Sequence, residues 1–180
     1  MGSERPCATE GAALFVGRLD AESGIATLAE ALEHCPCARV DVIGAGPEEP
    51  RVRRHARMRV LGGVSPAQAS ERMRRAAYLV LPVLACGEMP PPLVSAFALS
   101  LPVIASRLGP IAELIESGRN GLLFEPGSAR ELASRLAWAE AFPEKMRQMG
   151  ECAKADYESR LAAQWTHPRL FGERRRATRI

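Results

Sequence analysis

Residues 78–124 read YLVLPVLACGEMPPPLVSAFALSLPVIASRLGPIAELIESGRNGLLF. Residues 78–83 form an apolar run punctuated by Pro82. Glu88 follows in a loop thick with Gly and Pro. Residues 93–99 can make an apolar helix, residues 101–105 a second buried strand, and residues 106–110 a turn into another helix. Asn120-Gly121 closes a turn before residues 122–124. Short apolar runs that bracket helical segments predict parallel strands covered on both faces. In open sheets of that kind ligands sit beyond the carboxyl ends of the strands. Glu88 and the 106–110 turn fall at such ends.

The flanks repeat the pattern. Strands are expected over 12–16, 39–43 and 58–61. Helices are expected over 25–32, over 48–57 with Pro50 against it, and over 65–75 with Ser65 as N-cap and Pro66 in the first turn. Downstream, Ser128 caps a helix over 129–141 and Glu131 completes a capping box. Further helices follow over 144–155 and 157–164. Strand, glycine turn and helix in repetition predict an α/β fold: a Rossmann-like parallel sheet with helices on both faces. The domain is expected over residues 12–171, between a flexible segment, 1–11, and a basic tail, 172–180 (GERRRATRI).

The chain has 180 residues, with 24 Lys+Arg against 21 Asp+Glu and a formal net charge of +3. That balance does not call for nucleic acid, and Arg174–Arg176 reads as a solvated tail. No apolar run approaches the ~20 residues of a membrane span, so membrane association is expected to be peripheral at most. Five cysteines in no regular framework, without a signal peptide, fit a reducing cytoplasm. Cys35 and Cys37 stand beside His34, but no second pair completes a zinc spacing, and they read as a thiol pair at a helix end. Gly44-Ala45-Gly46-Pro47 lacks the last glycine of a dinucleotide fingerprint, since position 49 is Glu49, and reads as a tight strand-to-helix turn. His55 and His167 stand at no recognisable catalytic spacing.

Four stretches together resemble the C-terminal domain of retaining glycosyltransferases of the GT-B fold, the glycosyl transferases group 1 family. They are FVGRLDAESGIATLAEAL (15–32), VDVIGAGPE (40–48), VLGGVSPAQASERMRRAAYLVLP (60–82) and SLPVIASRLGPIAELIESGRNGLLFEPGSARELASRL (100–136). The resemblance covers residues 12 to about 141, in the family's order. It implies one of two Rossmann-like domains, the one that holds a nucleotide-sugar donor. The acceptor half is expected to come from elsewhere, and the isolated chain is expected to be inactive.

The resemblance also implies a site. Leaving-diphosphate charge calls for cations and N–H donors. Arg18 matches the family's phosphate-binding Arg, whereas Ser23 stands where the family has Lys. Glu88 matches the first Glu of the Glu-x7-Glu motif and is the expected catalytic, sugar-contacting residue. Ser95 stands at the second, ribose-binding Glu. The intervening loop offers backbone N–H groups in the family, but here Pro90, Pro91 and Pro92 have none, which leaves Leu93 and Val94 as donors. Gly63 and Val64 match the place where the backbone meets the base. No metal or other cofactor is expected. The function implied is sugar transfer from a nucleotide diphosphate sugar. The alternatives are a non-catalytic donor-domain module acting in protein interaction, or a gene fragment. For Arg18 and Glu88 individually, the alternatives are a solvated loop arginine and an exposed loop acid.

Overall fold

A computed structural model describes residues 11–161. The helix extension over 162–164, His167, the basic tail and residues 1–10 lie outside the described residues. Six strands form one parallel sheet: β1 (Ala13–Val16), β2 (Val40–Ile43), β3 (Met58–Gly62), β4 (Leu79–Leu81), β5 (Val103–Ser106) and β6 (Leu122–Phe124). Their order is β3-β2-β1-β4-β5-β6. The chain winds outward from β1 to β3, returns to pair β4 beside β1 at Leu14–Leu79, and winds outward the other way. The direction reverses between β1 and β4.

Every residue of β4, β5 and β6 is buried, as expected of strands covered on both faces. Phe15, Val42, Val80, Ile104 and Phe124 point into one core, with α1 (Ile25–His34) and α6 (Ala129–Ala141). Leu14, Leu79, Leu81, Val103 and Leu123 point into the other, with α3 (Pro66–Arg75), α4 (Pro91–Ala98) and α5 (Gly109–Leu114). The helix α7 (Pro143–Asp156) gives Met146 and Met149 to the first core and Ala153 to the second. Each fully buried Leu, Val or Phe contributes about 1.5–3 kcal/mol relative to exposure.

Some boundaries differ from expectation for local reasons. The helix α2 spans only Glu49–Arg54: Pro50 sits harmlessly in its first turn, and His55 is already extended. α4 begins two residues early, because prolines are tolerated in a first helical turn. At α6 the capping box forms only in half. The Ser128 hydroxyl accepts from the Glu131 N–H at 3.3 Å, but the Glu131 carboxylate takes the Glu125 N–H at 2.5 Å instead of that of Ser128. The complete box is at α3, between Ser65 and Gln68.

The Asn120-Gly121 turn does more than turn the chain. Asn120 is fully buried. Its Nδ2 donates to the Leu114 carbonyl at 3.1 Å and to Asp156 Oδ2 at 2.7 Å, and its Oδ1 accepts from the Glu116 N–H at 2.8 Å. Arg119 Nη2 donates to the same Asp156 oxygen at 2.5 Å. Burial on its own would raise the Asp156 pKa, but the hydrogen bonds from Arg119 and Asn120 outweigh it and hold the carboxyl below its ordinary value.

Two outcomes follow from this network. Asn120→Ala should lower stability by about 3 kcal/mol in urea denaturation, because it removes at once the hydrogen bonds that a fully buried side chain makes to Leu114, Glu116 and Asp156. A loss of only a few tenths would show that water replaces the amide. The carboxylate's contribution is full above the ordinary pKa of 3.8 and is lost as pH falls through the lower folded value. Asp156→Asn should therefore flatten the acid limb of a stability–pH profile, and an unchanged limb would rule the network out as its source.

Candidate functional site

The reversal between β1 and β4 brings two loops together at the carboxyl ends of these strands. Gly24 sits at φ +68°, and a Cβ there would lie 1.6 Å from the Pro82 carbonyl oxygen. The Leu84 N–H donates to the Glu22 carbonyl at 2.8 Å. Arg18 and Ser23 thus share one patch of backbone with the loop that carries Glu88.

Asp20 organises the first loop. Its Oδ1 accepts from the Ser23 N–H at 3.0 Å, and its Oδ2 lies 3.2 Å from Arg18 Nε. The Arg18 side chain is 82% exposed. Ser23 is buried: its hydroxyl donates to the Asp20 carbonyl at 2.6 Å and accepts from the Ile25 N–H at 3.3 Å. The structure places Ser23 in the expected loop, with its side chain turned inward to hold the turn.

Glu88 is exposed, and its carbonyl accepts from Cys86 Sγ at 3.0 Å. The start of α4 behind it lacks donors. Pro90 is the N-cap and Pro91 and Pro92 follow, none with an N–H. The Leu93 N–H turns back to the Pro90 carbonyl at 3.0 Å. The N–H groups that a helix normally leaves open at its start are therefore missing or occupied. Leu93, Val94 and Ser95 are buried, and the Ser95 hydroxyl donates to the Pro91 carbonyl at 3.1 Å.

Gly63 and Val64 flank this centre beyond β3, two strands from β1. Gly63 is exposed, whereas Val64 packs partly buried against the second core. Gly44 lies so close to the β1 loop that a Cβ would fall 1.8 Å from the Gly17 carbonyl oxygen. The Leu19 N–H donates to the Ala45 carbonyl at 3.1 Å. Gly44-Ala45-Gly46-Pro47 is a packing turn against the first loop.

Leu84 escaped the sequence reading, which reached Ser106 and Arg107 only as part of the 106–110 turn. Arg107, just past β5, pairs with Glu125 at 3.1 Å, both exposed. Leu84 is 41% exposed. Ser106 Oγ is buried without a hydrogen-bond partner among the described residues. Ser106 is the last residue of β5, Arg107 follows it, and Leu84 lies in the loop after β4. Of the rim cations, Arg18 leans on Asp20 of its own loop and Arg107 on Glu125, just past β6. Exposed pairs of this kind are worth little, so either guanidinium can turn to an anion at small cost and bind it bidentately.

Among the described residues no group of three or more His, Cys, Asp or Glu is placed to hold a metal ion, and no helix is long and apolar enough to cross a membrane. A concavity of about 900 Å³ lies at the opposite end of the sheet, lined by Tyr78, Ser100 and Arg147 among others, away from all of these groups.

The chain matches the family model for glycosyl transferases group 1 over residues 10–139. It is 31% identical over 160 residues to the glycosyltransferase TuaC of Bacillus subtilis (strain 168), named for teichuronic acid biosynthesis; the match takes in 86% of this chain and 40% of that one. Its fold is similar to that of HepE from Anabaena, solved in complex with UDP and glucose, with a TM-score of 0.75, 24% identity, and coverage of 84% of this chain and 44% of that one. It is also similar to the isolated C-terminal domain of the group 1 protein LpcC from Francisella tularensis, with a TM-score of 0.70, 20% identity, and coverage of 83% and 85%. The chain thus spans about two fifths of the curated relative's length.

Gly24→Ala should separate the two loops or strain them. The expected loss is about 3 kcal/mol, read as a lowered Tm. A variant as stable as the parent would show that the loops do not need this contact.

Proposed function

The chain belongs to the glycosyl transferases group 1 family, and from that premise we propose that it is the nucleotide-sugar donor-binding domain of a retaining glycosyltransferase. The observation that carries the reading is Arg18: an exposed guanidinium at the place where the strand order reverses, anchored through Asp20 to the turn that starts α1. A nucleoside diphosphate is the ligand class that suits it, and HepE holds UDP. In this reading Arg18 offsets the charge that develops on the leaving diphosphate. Glu88, exposed in the adjoining loop, hydrogen-bonds sugar hydroxyls, which a carboxylate accepts well. Backbone at Gly63 and Val64 meets the base. The acceptor is held by a second domain or chain, and the transfer uses no metal from these residues.

A second reading rests on a specific observation. The start of α4 presents no N–H toward the rim, and the Ser23 hydroxyl is consumed inside its own turn. A domain built this way binds a diphosphate through side chains alone, or keeps the fold as a non-catalytic interaction module.

A thermal-shift screen of the chain against UDP-, GDP-, ADP- and TDP-sugars separates the two. Donor binding at a hundred times Kd adds roughly 2.7 kcal/mol, several degrees of Tm for a domain of this size. The expected result is a shift with one nucleotide that Arg18→Ala removes. No shift with any of them overturns the donor reading and favours the module. Pro91→Ala together with Pro92→Ala should return N–H donors to the start of α4 and enlarge the shift. If the shift is unchanged by both substitutions, the diphosphate does not sit on that helix.

A further inference from the structure

The turn after α1 holds two sulfurs that the proposed donor site does not use. Cys35 caps α1, with its N–H on the Leu32 carbonyl at 3.4 Å. The Ala38 N–H donates back to the Cys35 carbonyl at 3.3 Å, closing a four-residue turn with Pro36 at its second position. Proline fixes φ there and preorganises the turn. Cys35 Sγ and Cys37 Sγ stand 3.5 Å apart as a result. Cys35 is buried in the first core, and Cys37 packs half-buried at its margin. Among the described residues no third ligand joins them into a metal cluster, so the chemistry on offer is that of a dithiol.

We infer that Cys35 and Cys37 are a site of reversible oxidation, closing to an intrachain disulfide with a hydroperoxide as the two-electron oxidant. Cys37, the accessible thiol, releases its proton to solvent and its sulfur attacks a peroxide oxygen. The O–O bond breaks, the leaving oxygen takes a proton, and Cys37 becomes a sulfenic acid. The Cys35 sulfur then attacks the Cys37 sulfur, the S–O bond breaks, and the Cys35 proton departs with the hydroxyl as water. Two thiols lose two electrons and two protons; the peroxide is reduced to water and an alcohol, or to two waters. The sulfurs must close to about 2.05 Å, a movement of roughly 1.5 Å from their present spacing. A thiol reductant reverses the bond.

The order of attack follows from the surroundings. Burial first, then the hydrogen bond and charge of Cys37 and, more weakly, the charge of Glu140, push the Cys35 thiol up to about 12. Cys35 therefore stays protonated and shielded. It is the resolving partner, and the first encounter with oxidant belongs to Cys37.

The test treats the full native chain with hydrogen peroxide, blocks free thiols with iodoacetamide, and maps the peptides by mass. The peptide carrying Cys35 and Cys37 should lack two hydrogens and take no alkyl group, and dithiothreitol should restore both alkylation sites. Cys35→Ser should leave Cys37 as a sulfenic acid that dimedone traps, and Cys37→Ser should leave Cys35 reduced. Mapping of the unsubstituted chain stands without either variant folding. Full alkylation of both thiols after peroxide, loss of the two hydrogens only after denaturation, or pairing of Cys37 with another chain or with Cys152 would each overturn the inference.

Discussion

The close approach of Gly24 to the Pro82 carbonyl is the constraint on which the rim depends. The chain leaves β1 and returns to it as β4, so the loops after these strands must pass within van der Waals distance of each other. A side chain at position 24 would occupy the carbonyl itself. With glycine there, the Leu84 N–H reaches the Glu22 carbonyl, and Arg18, Asp20 and the Glu88 loop are held on one surface. Strand order supplies the neighbours, and one missing Cβ lets them touch.

The same local economy limits what the rim can bind. Pro91 and Pro92 start α4 well, because the N–H groups they lack would find no helical partner. Those open N–H groups are also what makes a helix start attract anions. Fold and chemistry pull in opposite directions at this helix, and the fold has been served. Ser23 shows the same conflict: its hydroxyl fastens the turn between Asp20 and Ile25 and so faces away from any ligand. What remains for an anion is guanidinium groups, whose side chains lie outside the packed interior and lean only on Asp20 and Glu125.

The sequence carried the sheet because strands buried on both faces are built from apolar runs, as β4 and β6 are throughout and β5 is except at Ser106. It carried α6 to the residue, where Ser128 caps a regular apolar repeat. It misled at Glu131, because a carboxylate three positions after a cap has more than one N–H in reach, and only the folded loop decides which. For the candidate site, Glu88 was legible as a residue beyond a strand end, and Arg18 through the family resemblance. The inward turn of Ser23 and Ser95 was not, since a short hydroxyl side chain serves backbone or ligand equally well and nothing in the letters separates the two. Arg107 was legible only as part of the 106–110 turn, an arginine in a chain rich in them.

β4 is only three residues long, yet it positions the centre of the rim, so it must be fixed at both ends. At its carboxyl side Gly24 and Glu22 hold the exit. At its amino side Tyr78 is fully buried, and its hydroxyl donates to Glu140 Oε1 at 2.7 Å. Burial, reinforced by the charge and hydrogen bond of Glu140, raises the Tyr78 pKa well above its ordinary value, so the hydroxyl stays a donor across the range in which proteins work. Glu140 is itself buried on α6, the helix that packs on α1. α1 begins at Gly24's neighbour Ile25 and ends at His34, with Cys35 as its C-cap. The two ends of β4 are thereby tied to the two ends of one helix layer, and a three-residue strand holds its place without a long hydrogen-bond ladder of its own.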